Sequence, residues 1–408
     1  MQSYLLPVSF KRCIIIISFI LSLIPVYANA DLTNLSPQEY INQNPSEERK
    51  AIVNFITGQF ENWNGIEASQ VALDAFWNDE EARRTFCAQR FQIINQKLYA
   101  DKGHGLFFSD MVTFLQGLLS KYKIDDVDFI VYVRDEIQSA GGMEQKVLHL
   151  PSFMFSKNLA SQYEKDKFLM PDAFLIQEYW RLLVGKIKKA NETSIWKDKV
   201  EKIFWRGATA GPALDHEGVH ALRYNIDNIS DFPRLDLVML SSLYPDLIDA
   251  KFHKYLVISR DIKGLELMIM LAMLGSKGEN VPEVDHLAYK YLISIDGSTA
   301  AWKRVPWIML SNSVLIKQET SSTQWFYPAM KHYVHYVPVN ERLTDIFPKL
   351  EWLKSHDREA ERISIQAQKL VSENLMPADI EKHMVLILNA YHKLHKGARL
   401  IPTLPAVE

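Results

Sequence analysis

The chain has 408 residues, of which 48% are hydrophobic and 23% are charged, and its formal net charge is -3 at pH 7. This is the composition of a globular protein and excludes a fibrous or disordered one, and the slight negative charge argues against a general nucleic-acid binder. The length favours two domains over one.

The first 30 residues have the pattern of a secretory signal peptide. Lys11 and Arg12 precede an apolar run from 13 to 26, and Ala28-Asn29-Ala30 supplies the small residues of a cleavage site. The alternative is an uncleaved membrane anchor, although about 14 apolar residues are few for a span that needs roughly 20. We therefore expect an exported or membrane-associated protein, in a secretory lumen, in a periplasm or outside the cell.

The segment from 31 to about 122 is predicted to be mainly helical. Ser36-Pro37 is typical of a helix start, because serine caps the first turn and proline suits its first position. The stretch around Cys87 also has a helical pattern, and after signal cleavage Cys87 is the one cysteine left, so no internal disulfide is expected. Its most economical role is that of a small buried hydrophobic residue.

Strands and helices alternate after residue 127. Runs rich in β-branched and aromatic residues predict strands at 127–133, 199–205, 252–258, 289–295 and 313–317. Helical patterns cover 171–190, 265–274 and 300–310, and two amphipathic helices are expected between 348 and 396. This alternation predicts an α/β architecture with parallel sheets.

Polar residues follow three of these strands, at the edge where α/β proteins build their sites. Asp135 comes after the strand at 127–133 and is a candidate general base, with a surface turn beside Arg134 as the alternative. Arg206-Gly207 follows the strand at 199–205. Arginine suits a diphosphate because its planar fork donates two parallel hydrogen bonds, although an Arg-Gly pair alone is also a common turn.

The segment after the strand at 289–295 has the layout of an anion-binding loop. Asp296, Gly297 and Ser298 begin a turn of small residues that lets the backbone approach a ligand, and Lys303-Arg304 adds positive charge. Loop N–H groups and the start of the helix predicted at 300–310 would favour the same anion. No GxGxxG, P-loop, HExxH or GxSxG motif is present, so the usual dehydrogenase, NTPase, zinc-protease and hydrolase signatures are absent.

Five segments, taken together, resemble glycosyltransferase family 90: FWRG, KYLISIDG, LSNSVLIKQE, WFYP and HYVPV. The resemblance is clear over about 204–371 and weaker over 128–135. The family includes bacterial lipopolysaccharide-modifying proteins, fungal capsule-associated xylosyltransferases and animal protein O-glucosyltransferases. The resemblance implies a GT-B-like fold, in which two Rossmann-like domains face a cleft and a C-terminal helix crosses back to the first.

On this basis we divide the chain into four parts. Residues 1–30 are the signal or anchor, and 31–198 form an acceptor-side domain with a helical start. Residues 199–355 form the nucleotide-sugar-binding domain, and 356–408 are helices that pack back on the first domain.

The implied activity is an inverting, metal-independent transfer of glucose or xylose from a UDP-sugar to a hydroxyl of a lipopolysaccharide, another surface glycan or a protein. No cofactor beyond the donor is implied. The alternative is a degenerate member that binds a glycan or nucleotide without turnover. The resemblance places the catalytic base at Asp135. The predicted donor contacts are Arg206, Gly207, Asp296, Gly297, Ser298, Lys303, Arg304 and Glu319, and the predicted cleft residues are Trp325 and His335.

The chain departs from the family pattern at two points. The family typically has an arginine where Lys303 stands, and Arg304 is one residue further on, so either residue is a candidate phosphate contact. Many relatives also carry another arginine soon after Arg-Gly, whereas here the next one is Arg223.

Two other pairs are interpreted as structural. Asp126 and Asp128 are spaced like a metal-binding DxD pair, but they precede their strand, at the wrong edge of the sheet, and are predicted to form a turn. His332 and His335 lie in a stretch that looks extended, so they would point to opposite faces and make a poor zinc pair. No metal is therefore predicted.

Overall fold

The computed structural model describes residues 32–407 except 62, 64, 66–67, 136, 138–142, 210–223, 230–231 and 257. The predicted signal segment and Arg223 therefore lie outside the described residues. None of the described helices has both the length and the apolar character that a membrane span requires.

The chain begins with short, side-chain-capped helices, as predicted. Ser36 caps the first helix in a reciprocal pair with Glu39, and Ser46, Ser69 and Asp79 cap the next three. The helices of this region are α1 (Pro37–Gln43), α2 (Glu47–Gly58), α3 (Gln70–Trp77), α4 (Glu80–Thr85) and α5 (Phe108–Leu119).

The helix predicted around Cys87 is wrong. Helix α4 ends at Thr85, Cys87 adopts a left-handed backbone with φ 48°, and a strand follows at once. All seven residues of that strand are buried. Because both faces of the strand are covered, it lacks the alternation of polar and apolar residues that marks a half-exposed strand.

The first sheet is mixed, although parallel pairing was expected throughout. It contains β1 (Ala88–Ile94), β2 (Lys97–Asp101), β3 (Val127–Tyr132), β4 (Ser152–Met154) and β6 (Phe168–Leu169). Their order is β2-β1-β3-β4-β6, in which β1 is antiparallel to both neighbours while β3, β4 and β6 are parallel. Strand β3 ends at Tyr132, and Asp135 follows three residues later, beyond the carboxyl end of the strand.

The second sheet has five strands, all parallel, as predicted. It contains β7 (Val200–Ala208), β8 (Ile248–Lys254), β9 (Tyr289–Ser294), β10 (Val314–Gln318) and β12 (Val337–Val339). The order is β12-β10-β9-β7-β8. The chain leaves β7 toward β8 on one side and then returns to β9 on the other. The switch point, where such sheets bind ligands, is therefore between β7 and β9.

Helices precede and connect these strands, and a small ribbon joins the two halves of the chain. The helices are α6 (Glu178–Thr193), α7 (Pro233–Leu243), α8 (Ile262–Met273) and α9 (Arg304–Leu310). The ribbon is an antiparallel pair of β5 (Lys157–Asn158) and β11 (Ser322–Thr323).

The C-terminal region forms three helices where two were predicted: α10 (Ile346–Ser355), α11 (Asp357–Asn374) and α12 (Pro377–His392). Pro377 begins the last one, as expected. Helix α12 packs on α2 and β3, and the Tyr391 hydroxyl donates to the carbonyl of Pro151 at 3.2 Å. The end of the chain therefore packs against the first sheet. The finer GT-B assignment and the domain boundaries remain predictions.

A buried ion pair joins β1 to β3 and corrects the interpretation of Asp128 as part of a turn. Asp128 lies within β3 and is fully buried. Arg90 donates to both of its carboxylate oxygens, at 2.8 and 2.6 Å, and Gln92 donates to one of them at 2.8 Å. Asp128 therefore neutralises a buried arginine, and its oxygens are already occupied.

We predict that Asp128→Asn lowers the free energy of unfolding by about 1–3 kcal/mol, because the buried Arg90 guanidinium then keeps only the partly exposed Asp74, at 2.7 Å, as a described charge partner. Asp126→Asn is the matched control, since the Asp126 carboxylate accepts the backbone N–H of Asn95 at the end of the sheet and asparagine keeps that acceptor. Chemical denaturation of both variants measures the difference. Equal losses in the two would contradict the role given to the ion pair.

Candidate functional site

A cavity of about 500 Å³ lies at the carboxyl ends of β7 and β9, the predicted switch point. Asp135 and Phe174 line it from the first half of the chain, and the other lining residues come from the second half. Asp135 follows β3 and is exposed. The predicted site residues that the structure brings together here are Asp135, Arg206, Gly297, Ser298, Lys303 and Arg304.

Arg234, which sequence reasoning missed, holds the two strand ends together. It is the second residue of α7, and its guanidinium donates to the carbonyls of Asp296 at 3.0 Å, Ile295 at 3.2 Å and Ala208 at 3.2 Å. A Cβ at Gly297 would lie 2.9 Å from Nη2 of Arg234. A side chain at 297 would therefore push the guanidinium away from the carbonyls to which it donates.

Arg304 is a second buried arginine at the cavity. Its Nη2 donates to the carbonyl of Arg206 at 2.7 Å, so it also is held by backbone. Burial, together with the nearby charge of Arg234 and against the opposing charge of Glu283, lowers the pKa of Arg304 to about 9. The group is still charged at neutral pH, but its charge is disfavoured by its surroundings. Among the described residues, neither Arg234 nor Arg304 forms a salt bridge with a carboxylate.

The other two cations at the cavity are already neutralised. Arg206 pairs with Asp249, with Nη1 2.8 Å from Oδ1. Lys303 donates to Glu283 at 3.0 Å and to the hydroxyl of Tyr179, from α6, at 2.7 Å. Burial alone would raise the pKa of Glu283, but its hydrogen bonds with Tyr179 and Lys303 outweigh this and lower it to about 2.

The expected helix start after Gly297 is not present. Residues 297–303 form a loop, and α9 begins only at Arg304, without a side-chain cap. Asp296 shapes this loop from beneath: its carboxylate accepts from the Ala301 N–H at 3.1 Å and from the Thr320 hydroxyl at 2.7 Å. Asp296 is itself buried, and it does not line the cavity. Asp296 was predicted to contact the sugar donor, but in the structure it positions the loop at 297–303.

Two further predicted donor contacts lie away from the cavity. Gly207 is inside β7, where a Cβ would collide with the ring of Trp205. Glu319 instead contacts His332, at 3.2 Å, and Lys317, at 3.5 Å. Both residues were predicted because they lie close to strand ends in the sequence, and neither lines the cavity.

The two predicted cleft residues are core residues. Trp325 is fully buried, with its ring centroid 4.8 Å from that of His383 in α12. His335 is buried, and its Nδ1 accepts from the N–H of Lys331 at 3.1 Å. The stretch from 333 to 335 is a turn, so the extended backbone expected around His332 and His335 is also wrong. No group of three or more potential metal-ligating acidic, histidine or cysteine side chains occurs within the described part of the chain.

Comparison with known proteins gives the family. A model of glycosyl transferase family 90 matches residues 55–404. Protein O-glucosyltransferase 2 of Danio rerio is 27% identical over 326 residues, which cover 78% of this chain and 56% of that protein. Protein O-glucosyltransferase 3 of Rattus norvegicus is 30% identical over 203 residues, which cover 50% and 34%. The chain thus spans about half, or less, of the length of these two relatives.

Among solved structures, a glycosyltransferase from Rickettsia africae ESF-5 aligns with a TM-score of 0.36 and 12% identity, over 63% of this chain and 68% of that one. That similarity is too low to add to the argument. The family model, in contrast, spans every residue that lines the cavity. The chain belongs to glycosyl transferase family 90.

Proposed function

We propose that this protein is an inverting glycosyltransferase that moves a sugar from a UDP-sugar to a hydroxyl group without a metal ion. The observation that carries the proposal is the meeting, in one cavity, of a carboxylate, Asp135, with two arginines, Arg234 and Arg304, that form no salt bridge with a described carboxylate. A diphosphate is the anion that such a pair of guanidinium groups suits best.

Arg234 and Arg304 would stabilise the leaving group. As the bond between the anomeric carbon and the phosphate oxygen breaks, negative charge grows on the departing UDP. Both guanidinium groups are held by backbone carbonyls, so they are oriented before the substrate binds and need little rearrangement during the reaction. Gly297 and Ser298 also line the cavity, and Gly297 leaves room for the guanidinium of Arg234 beside the loop.

Asp135 would act as the general base. It takes the proton of the acceptor hydroxyl while the hydroxyl oxygen attacks the anomeric carbon from the face opposite the leaving UDP. One displacement of this kind inverts the sugar and needs no nucleophile from the enzyme. Asp135 comes from the first half of the chain and the arginines from the second, and both line the cavity, which supports this division of roles.

The same charges support a reaction without a metal ion. In this proposal, the guanidinium groups of Arg234 and Arg304 neutralise the negative charge of the diphosphate, and no cofactor beyond the sugar donor is required. Asp128, which a DxD-type metal site would need, is already paired with Arg90.

The relatives support a choice of sugar and acceptor to test first. Three groups of them are named protein O-glucosyltransferases 1, 2 and 3. We therefore propose glucose as the donor sugar and a protein hydroxyl as the acceptor, ahead of xylose and of a lipopolysaccharide or other surface glycan. The signal-like N-terminus supports an exported or membrane-attached enzyme.

Replacing Asp135 by asparagine is expected to lower the transfer rate by about 10²- to 10⁴-fold, the usual contribution of a general base, while UDP still binds. Asp126→Asn, at the opposite end of β3, is the control and should keep the wild-type rate. Transfer rate and UDP affinity are measured on the same preparations. Full activity in Asp135→Asn would rule out this residue as the base.

We also predict that Arg304→Gln weakens UDP binding by about 10- to 100-fold, the loss expected for charge-assisted hydrogen bonds. Lys303→Gln should weaken it much less, because Glu283 and Tyr179 already hold the lysine ammonium. Isothermal titration calorimetry of the two variants tests the ranking. A larger loss in Lys303→Gln would assign the phosphate contact to the lysine.

A further inference from the structure

The cavity has an uncharged wall beside its arginines. Val281, Pro282 and Trp307 form this wall together with His286. Trp307 lies one helical turn after Arg304 in α9, so the wall adjoins the cationic part directly. The base is the only flat, largely apolar part of a nucleoside diphosphate. It therefore fits this wall when the diphosphate contacts the arginines.

The ring of His286 is fixed in position and orientation. It lies edge-on to the rings of Phe204 and Trp307, with centroid distances of 4.7 and 5.2 Å and interplanar angles of 83° and 89°. Its Nε2 is 3.1 Å from the carbonyl oxygen of Val281. A carbonyl oxygen can only accept, so Nε2 carries the hydrogen and Nδ1 of the neutral ring carries a lone pair.

This protonation state is stable at neutral pH. Burial lowers the pKa of His286 to about 4, and the cations Arg304 and Arg206 act in the same direction. Nδ1 is therefore a hydrogen-bond acceptor, not a donor, under any ordinary assay condition. A ligand that binds against this wall is favoured if it presents an N–H group to the histidine.

We propose that Nδ1 of His286 accepts a hydrogen bond from the N3–H group of the donor's base and thereby selects uracil over cytosine. The inference rests on the proposed function, since it assumes that a nucleoside diphosphate occupies the cavity. Uracil and thymine carry a hydrogen on N3, whereas cytosine carries a lone pair there. Two lone pairs would then face each other, and both groups would lose a hydrogen-bond partner.

The test is a set of dissociation constants for UDP, CDP and UDP methylated at N3, measured by calorimetry with the full chain. For the wild type, we expect UDP to bind about 10- to 100-fold more tightly than either of the others, the range expected for one unsatisfied polar group. His286→Phe should bring the three affinities to within a few-fold of one another. His286→Asn should restore part of the preference, because its Oδ1 can take the place of Nδ1.

His253→Phe is the matched control, since His253 also lines the cavity and burial and the neighbouring cations also lower its pKa. It should keep the wild-type preference for UDP. Equal wild-type affinities for UDP and N3-methyl UDP would overturn the inference and leave the proposed function intact, and that comparison needs no variant. If His286→Phe still bound UDP more tightly than CDP by the wild-type factor, the inference would also be overturned and the proposed function would remain. If no nucleoside diphosphate binds, the proposed function itself fails.

Discussion

The guanidinium group of Arg234 joins the carboxyl ends of β7 and β9, and the geometry of the cavity depends on this one contact. Its three backbone partners, Ala208, Ile295 and Asp296, are the residues at which the two strands end or have just ended. Backbone carbonyls satisfy the donors of the guanidinium but carry no net charge, so a buried positive charge is left at the switch point of the sheet. Gly297 contributes to the same arrangement, because the absence of a side chain there leaves space for the guanidinium of Arg234.

The cations at the cavity fall into two kinds, those that form a salt bridge with a carboxylate and those that are held mainly by backbone carbonyls. Arg206 and Lys303 each have a carboxylate, Asp249 and Glu283, and so are close to neutral as pairs. Arg234 and Arg304 are closer to backbone than to any described carboxylate, and burial disfavours the charge of both. A buried charge without a partner lowers stability. Such an arrangement is understandable if a bound ligand supplies the anion. The ligand-free protein is then less stable than it could be, a cost that binding sites commonly carry.

Strands β9 and β10 of the second sheet could be predicted from the sequence because they are almost wholly buried and contain runs of apolar residues. Strand β1 was missed because three of its seven buried residues, Gln89, Arg90 and Gln92, are polar and interrupt the apolar run that marks a buried strand. Had β1 been recognised, its antiparallel register, which places Gln92 opposite Asp128, would have put Arg90 beside that carboxylate. The Asp126–Asp128 pair was kept out of the predicted site on position alone, whereas the structure shows that Asp128 is paired with Arg90.

At the cavity, residues next to a strand end were predictable and those brought in by tertiary folding were not. Asp135 and Gly297 follow strands, Arg206 lies near the end of β7, and all three line the cavity. Arg234 and His286 precede or lie between the quoted segments, in a helix and a 3₁₀ turn, and no pattern in the sequence marks their side chains as facing the cavity. Trp325 and His335 were chosen for residue type, yet their side chains pack in the core.

We propose that Arg234 and Arg304 stabilise the negative charge of the diphosphate, as a metal ion does at other diphosphate sites. This proposal is tested most directly by measuring UDP release from a panel of UDP-sugars, with a protein acceptor, first in EDTA and then with Mn²⁺. We expect release from one preferred donor in EDTA and no further gain with Mn²⁺. Release that occurs only when Mn²⁺ is present would contradict this proposal, because Arg234 and Arg304 would then be insufficient to stabilise the departing UDP.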